Sequence, residues 1–293
     1  MSAAGGPGKA PEGIVRSCAC RGTNGLTHMS CLVSMALNAD KNRDLTLWEK
    51  CINCKQAYRG HVKLALGWAI VKHNASGAEG DWRQIASLGF LGNGLWEVGR
   101  AEEAIPIFQA QLATIHRYHP INGQHVALDA LTSMANCYSS AKRYEDALRL
   151  ERQVHAEWVK RIGPAEKSAI TIGCNLGDTL MKVKRFADAK EWLREQLRLA
   201  RSALGMDDTV SLLVATNLCR ACYDDTSDGG CPDDVAEADA LLADTIERRR
   251  RVFGRAHPET RVVEGIGAAR KAFLERAASK DCPVEDGVTK ENT

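Results

Sequence analysis

The chain has 293 residues, which is enough for one large domain or two modest ones, and its 44% hydrophobic content supplies a sizeable core. Its 39 basic and 37 acidic residues are dispersed and leave a net charge of +2, which argues against nucleic acid or an anionic lipid surface as the main partner. The sequence has no apolar run of about 18 residues, so it predicts no membrane span.

The N-terminal residues, MSAAGGPGKAPEG, are rich in Gly, Pro and Ala and lack the apolar stretch of a signal peptide. We predict a short disordered arm over residues 1–16. Eleven cysteines without a secretion signal indicate a reducing compartment, either cytoplasmic or nuclear. In such a compartment clustered cysteines usually bind metal, whereas scattered cysteines usually pack in the core.

Metal-ligating residue types are clustered near the N-terminus with short, regular spacings. Thiolates and imidazoles bind Zn²⁺ tetrahedrally, four to a site, and small modules use these bonds in place of a core. The sequence therefore predicts a zinc-binding module over residues 17–58. Its six candidate ligands are enough for one complete four-ligand site and half of a second. The candidate ligands are Cys18, Cys20, His28, Cys31, Cys51 and Cys54.

The ligand order resembles that of the RING-CH zinc finger, with Gly22, Leu32, Trp48 and Tyr58 at matching places. That family binds two zinc ions through eight ligands in a cross-braced order. The resemblance implies that His28 and Cys31 share a zinc with a Cys-x2-Cys pair upstream of Cys18, and this pair is missing. It also implies one complete site, formed by Cys18, Cys20, Cys51 and Cys54.

Three explanations for the missing pair remain open. The start of the chain is truncated or misassigned, so that the gene supplies the pair. Alternatively, the first site is degenerate and the module stands on one zinc ion. In the third explanation His28 and Cys31 recruit a distant donor such as His61 or Cys282.

The same resemblance implies the activity of a RING-type E3 ubiquitin-protein transferase. Such a finger docks a charged ubiquitin-conjugating enzyme and positions its thioester, which is a proximity effect. The family's docking surface uses an apolar residue inside the first Cys pair and a Trp after the sixth ligand. Here the pair is missing and Met35 occupies the place of the Trp. The alternative is a finger with a purely structural role.

Residues 59–85, which contain LALGWAIVKH, are predicted to form one helix that connects the finger to a repeated region. Four segments share one frame, of which NLGDTLMKVKRFADA is the third. The alanines that end the frames, Ala104, Ala147, Ala189 and Ala238, are 43, 42 and 49 residues apart. An insert around residues 226–231 accounts for the longer last interval, so the repeat is about 42 residues long.

Each frame predicts a helix, a turn and a second helix. The turns are expected at Gly99-Arg100, Lys142-Arg143 and Lys184-Arg185, and the copies end in loop signals such as Gly163-Pro164. A small residue recurs two places into each frame, where neighbouring helices are expected to cross. These residues are Gly92, Ala135, Gly177 and Cys219.

Units of this kind stack as an α-solenoid. The frame and the terminator VFGRAHPET resemble the tetratricopeptide repeats of kinesin light chains. We therefore predict an all-α protein: a tetratricopeptide solenoid of about four repeats over residues 86–276, preceded by the small zinc-stabilised RING-like module. A disordered tail is expected over residues 277–293.

The predicted function is protein recognition, with a zinc-dependent ligase or a non-catalytic scaffold or adaptor as the two alternatives. Asn175 and Asn217 open the third and fourth frames, where an amide can hydrogen-bond the backbone of an extended peptide or only the neighbouring helix. Cys219 and Cys222 are interpreted as core residues, and the run Arg248–Arg251 as a solvated helix end. No motif for hydrolysis or phosphoryl transfer occurs.

Overall fold

The computed structural model describes residues 14–16, 26–40, 44–225 and 232–280. The chain divides into two compact units, residues 1–154 and 155–293. Apart from one short hairpin and an isolated bridge, the regular structure within the described residues is helical. None of the described helices is both long and apolar enough to cross a bilayer.

The N-terminal part of the first unit is small and mixed. Strand β1 (Ile14–Arg16) pairs antiparallel with β2 (Leu26–His28), and helix α1 (Met29–Asp40) follows directly. A single 3₁₀ turn covers Thr46–Trp48. The later helices are α2 (Gly60–Asn74), α3 (Trp82–Glu97), α4 (Ala101–Tyr118), α5 (Gln124–Ser140), α6 (Tyr144–Ile162), α7 (Lys167–Lys182), α8 (Phe186–Leu204), α9 (Thr209–Asp224), α10 (Pro232–Phe253) and α11 (Pro258–Lys280).

The predicted turns of the repeat are confirmed. Gly99, Lys142 and Lys184 adopt positive φ angles of 80°, 61° and 62°, and each lies in the short connection between the two helices of a pair. The predicted copy ends also agree, since α6 ends just before Gly163 and α8 ends just before Gly205. Sequence periodicity therefore predicts the helix–turn–helix pairs well.

The predicted crossing positions are also confirmed. A Cβ atom added to Gly92 on α3 would lie 2.6 Å from Cζ of Phe108 on α4. The equivalent Gly177 on α7 approaches Leu193 on α8, with 2.5 Å between an added Cβ and Cδ2. A side chain at either glycine would push the two helices of the pair apart, which explains the small residue in the frame.

Three boundaries differ from the sequence predictions. Residues 14–16, predicted to belong to the disordered arm, form β1 because they find a partner strand in β2. The predicted connecting helix ends at Asn74, and α3 begins at Trp82 with the side chain of Asp81 accepting a hydrogen bond from the backbone N–H of Arg83. Helix α11 extends to Lys280, past the predicted end at residue 276.

Helices α2 and α3 cross at very short distance, and the repeat frame does not predict this crossing. A Cβ on Gly67 of α2 would lie 2.9 Å from Cα of Leu91, and a Cβ on Gly94 of α3 would lie 2.8 Å from Cα of Leu64. The two backbones therefore touch directly. Helix α2 packs on α3 as closely as any predicted repeat pair, so the stack of helices begins one helix earlier than predicted.

Two salt bridges join the residues on either side of the predicted insert. Lys190 of α8 is buried, and its ammonium lies 2.7 Å from a carboxylate oxygen of Asp225 and 2.5 Å from one of Asp234. Residues 226–231, which separate those two carboxylates, lie outside the described residues. The pairing with Lys190 is one reason that the pKa of Asp234 is lowered.

Candidate functional site

The predicted finger shares one hydrophobic core with the first helices of the stack. Leu32 and Trp48, two landmarks of the finger, pack with Val62, Leu66 and Ile70 of α2. Phe90 of α3 packs against the same core. Burying these side chains removes apolar surface from water on both sides of the predicted boundary at residue 58, so the finger and α2 stabilise each other.

Cys51 and Cys54 lie on a tight turn at the tip of a short hairpin. Lys50 and Ala57 form an antiparallel bridge, the backbone N–H of Cys51 donates to the carbonyl of Gln56 over 2.9 Å, and the N–H of Lys55 donates to the carbonyl of Cys51 over 2.9 Å. Lys55 has φ 59°, which lets the chain reverse directly after the second cysteine. The turn holds both thiols on one short loop, as a shared metal ion requires.

His28 and Cys31 are also brought together. His28 ends β2 and Cys31 lies in the first turn of α1, which places Nδ1 of the histidine 4.0 Å from Sγ of the cysteine. Two ligands of one tetrahedral zinc are separated by roughly 3.6 Å, given ordinary Zn–S and Zn–N bond lengths. This separation is close to that of a ligand pair, and the half site itself stays a prediction.

The complete zinc site itself stays a prediction. Cys18 and Cys20 lie at residues 17–25, outside the described residues, and so does Cys282. Among the residues that the structure describes, no three His, Cys, Asp or Glu side chains come together as a metal site. The donor chemistry of Cys51 and Cys54 fits zinc, and the other two thiolates are expected from the undescribed segment.

Asp40, at the end of α1, is a buried charge that sequence analysis missed. Its side chain is 2% exposed, and its two carboxylate oxygens lie 3.6 Å from Nε2 of His73 and 3.6 Å from Nε of Arg83. A guanidinium nitrogen of Arg83 also donates to the backbone carbonyl of Asp40 over 3.2 Å. These three residues line a cavity of about 480 Å³ where α1 meets α2 and α3, so they tie the finger to the stack.

In the second unit, α7 and α9 are neighbouring first helices of successive pairs. Asp178 of α7 bonds across to Arg220 of α9 over 3.2 Å and to Lys182 on its own helix over 2.8 Å. Asn175 lies one turn before Asp178 on the same face of α7. The shared face is therefore polar and partly exposed, with charges of both signs.

The two candidate asparagines are not equivalent. Asn217 is 7% exposed, and its amide nitrogen donates to Sγ of Cys174 over 3.3 Å. Asn175 is half-buried and makes an interaction of its own. Asn217 therefore has the helix-bonding role that sequence analysis left open for it, and Asn175 has the more accessible amide.

The four described cysteines of the helical repeats behave as core residues, whereas Cys231 and Cys282 lie outside the described residues. Cys219 Sγ lies 3.6 Å from the carbonyl of Ala238 on α10, in the crossing position of its frame. Burial raises the pKa of Cys174 and Cys219 to about 12 and the pKa of Cys222 to about 11. Such thiols are neither nucleophiles nor ready metal ligands at neutral pH.

The arginine run at the end of α10 is only partly solvated, contrary to the prediction. Arg249 is 2% exposed; its guanidinium donates to the carbonyl of Leu212 over 3.1 Å and to Glu259 Oε2 over 3.0 Å. It thereby joins α9, α10 and α11. The neighbouring Arg251 pairs with Asp207 over 2.6 Å, so it is an ordinary surface ion pair.

Comparison with known proteins supports the helical repeats. The model of the tetratricopeptide repeat family matches residues 171–209 and 233–259, which span α8 and most of α7 and α10. These residues all lie in the second unit, so the match does not bear on the finger. No curated protein sequence matches the chain.

Similar solved structures include TPR-like repeats of a protein described as a kinesin light chain. The nearly identical TPR-like repeats of a Podosopora anserina protein assigned as a kinesin light chain superpose with a TM-score of 0.52 at 16% identity, covering 76% of this chain and 95% of that one. A second structure of those repeats gives 0.51 at 15% identity, covering 77% and 96%. BtubC (BKLC) from P. vanneervenii gives 0.50 at 12% identity, covering 91% and 98%. The chain thus contains tetratricopeptide-type hairpins, and protein–protein interaction is the general use of that fold.

Proposed function

We propose that this chain is a non-catalytic protein-binding scaffold, in which the tetratricopeptide hairpins bind a partner and a zinc-stabilised finger caps the first hairpin. The observation that carries the proposal is the core shared by Leu32, Trp48 and α2. A finger whose apolar side is packed on the stack is a structural element of it. This arrangement favours the scaffold over a ligase that presents its finger to a conjugating enzyme.

The partner site is proposed on the face shared by α7 and α9. Asn175, Asp178 and Arg220 offer an amide, a carboxylate and a guanidinium along one partly exposed surface. Such groups suit an extended peptide, whose backbone requires donors and acceptors at regular intervals and whose side chains bring charges of both signs. We therefore expect the partner to contribute an extended, charged segment.

A peptide-display selection on the full chain tests this surface. We expect selected peptides to lose at least about tenfold in affinity, or 1.4 kcal/mol, when Asn175→Ala and Arg220→Glu are combined. The matched control is Glu195→Ala with Arg198→Ala, which removes an exposed ion pair on α8. Peptides that bind the double variant as well as the native chain would exclude this face.

The finger is tested by metal content and by ubiquitin transfer. We expect one zinc ion per chain, held by Cys18, Cys20, Cys51 and Cys54, and no transfer of ubiquitin with a panel of conjugating enzymes. Two zinc ions per chain would contradict the explanation that the first site, the one that would contain His28 and Cys31, is degenerate. Transfer of ubiquitin to the chain or to a bound peptide would contradict the scaffold proposal and support the ligase.

A further inference from the structure

The carboxylate of Asp40 is buried without a hydrogen bond. Its side chain is 2% exposed, and among the described residues no donor lies within hydrogen-bonding distance of either carboxylate oxygen. An N–H···O bond spans about 2.7–3.2 Å, whereas Nε2 of His73 and Nε of Arg83 are each 3.6 Å away. A buried charge in this state is costly, because it has lost its hydration and has gained little in return.

The two neighbours of this carboxylate have different roles. A guanidinium nitrogen of Arg83 donates to the backbone carbonyl of Asp40 over 3.2 Å, and Nε of the same side chain faces Oδ1 of the carboxylate. His73 faces the other oxygen, Oδ2, and its side chain is 46% exposed. Helix α2 therefore presents a ring nitrogen to the same oxygen that α1 leaves without a hydrogen bond.

The separation of these two atoms suits a shared metal ion. Bonds of about 2.0–2.2 Å at angles of about 90–110° separate two ligand atoms of one ion by roughly 2.8–3.6 Å. The 3.6 Å between Oδ2 of Asp40 and Nε2 of His73 lies at the upper end of that range and beyond the range of a hydrogen bond. Both residues line a cavity of about 480 Å³, which has room for several water molecules.

We propose that Asp40 and His73 bind a divalent first-row metal ion, with water molecules as the remaining ligands. An ionised carboxylate and a neutral imidazole are ligands that Mn²⁺ and Zn²⁺ accept. The ion supplies the positive charge that the buried Oδ2 lacks. Arg83 orients the carboxylate from its other side, as partners of metal-bound carboxylates commonly do. The site uses none of the cysteines of the predicted finger, and it joins α1 to α2 directly.

The ligand set determines the expected strength. Two protein ligands make a weak site, and the positive charge of Arg83 opposes a second cation beside it. We expect a dissociation constant of about 10–500 µM, in the range of weak regulatory and extracellular cation sites rather than that of structural zinc. An ion bound this way stabilises the contact between α1 and α2 in proportion to its free concentration.

Titration of the full chain with Mn²⁺ tests the site. The chain is first loaded with zinc and desalted, so that cysteine ligands are occupied, and Mn²⁺ is used because it binds most weakly in its series and does not favour thiolates. We expect one Mn²⁺ per chain by electron paramagnetic resonance of the free ion. His73→Ala and Asp40→Asn should each lower the affinity at least about tenfold, with helicity checked by circular dichroism.

His125→Ala is the matched control. Its imidazole Nε2 is likewise close to a carboxylate, 3.9 Å from Oδ2 of Asp129, but both side chains are more than half exposed and no buried charge is involved. This variant should bind Mn²⁺ as the native chain does. An affinity that falls as far in His125→Ala as in His73→Ala would contradict the assignment.

Paramagnetic broadening of amide signals locates the ion. We expect residues 37–40 and 70–74 to broaden first as Mn²⁺ is added. Broadening that begins around Asp129 or Cys51 would place the ion elsewhere and overturn the proposal. The absence of binding up to about 1 mM, or binding that survives His73→Ala, would show that Asp40 and His73 form an ion pair only.

Discussion

At the scale of single residues, the thiols that the structure describes include two chemically different groups. Cys31 is exposed and Cys54 is half-buried on the finger. Cys137, Cys174 and Cys219 are fully buried in the hairpins, and burial raises the pKa of each to about 12 because a thiolate loses its hydration there. The two groups should differ strongly in reactivity.

Maleimide labelling of the folded chain after zinc chelation measures that difference. At pH 8 a thiol with a pKa of about 12 is ionised to only about one part in ten thousand, and the thiolate is the reactive species. We expect Cys31 and Cys54 to be labelled within minutes, and Cys174 only after denaturation. Peptide mass spectrometry reads each site, and equal rates at Cys54 and Cys174 would contradict the assignment of Cys174 to the core.

The sequence predicts the position of a residue in the core where that position recurs in the repeat. It does not predict a buried charge whose contact occurs only once in the fold. The frame position of Cys219 predicts a core residue, and the structure places its thiol in the core. Asp40 and Arg249 are buried charges whose partners lie on other helices, namely α2, α3, α9 and α11. Spacing along the sequence carries no information about such partners, so both residues were missed or misjudged.

At the scale of helices, the crossing of α2 and α3 depends on two glycines. Replacing Gly94 by Ala introduces a Cβ 2.8 Å from a backbone atom of Leu64, which cannot move independently of its helix. We expect Gly94→Ala to lower the free energy of unfolding of the first unit by about 1–3 kcal/mol, despite the better helix propensity of Ala. Urea denaturation followed by circular dichroism measures this change in the free energy of unfolding.

Gly265→Ala on α11 is the matched control for that substitution. It is also a glycine inside a helix, but its added Cβ meets no atom within 4 Å. We expect Gly265→Ala to be neutral or to stabilise the chain by up to about 1 kcal/mol. A Gly94→Ala variant as stable as this control would mean that α2 and α3 do not approach as closely as described.

The pairs of the repeat were predictable because turn residues and frame alanines recur at a nearly constant interval. The pairing of α2 with α3 was not, because it uses Gly67 and Gly94, which have no counterpart in the other frames. The short strand β1 was missed for a different reason. Three residues of a Gly- and Pro-rich arm carry too little pattern to predict a strand, and only the partner β2 defines it.

At the scale of the whole molecule, the proposed zinc site should stabilise α2 as well as the predicted finger. Because Trp48 and Cys51 share a core with Val62 and Leu66, unfolding of residues 17–58 would expose one side of α2. We expect Cys51→Ala to lose one zinc ion and to raise amide hydrogen exchange in α1 and α2, while α7 to α10 stay protected.

Cys222→Ala provides the comparison, since it removes a buried cysteine of the second unit that is not a candidate ligand. It should leave both the zinc content and the exchange of α2 unchanged. If α2 stays fully protected in Cys51→Ala, the finger is an independent module and the shared core contributes little to α2. If α7 to α10 also lose protection, the chain folds as a single cooperative unit.

The pairing of Lys190 with Asp225 and Asp234 has a consequence for how this chain tolerates change in length. The two carboxylates lie on either side of residues 226–231, and one ammonium holds both. Closure of the hairpin between α9 and α10 is thus fixed at its base, whatever lies between those carboxylates. Insertions and deletions acquired during evolution, or an epitope tag placed by genetic engineering, are best accommodated at this point, because added chain length there leaves the salt bridges beneath it in place.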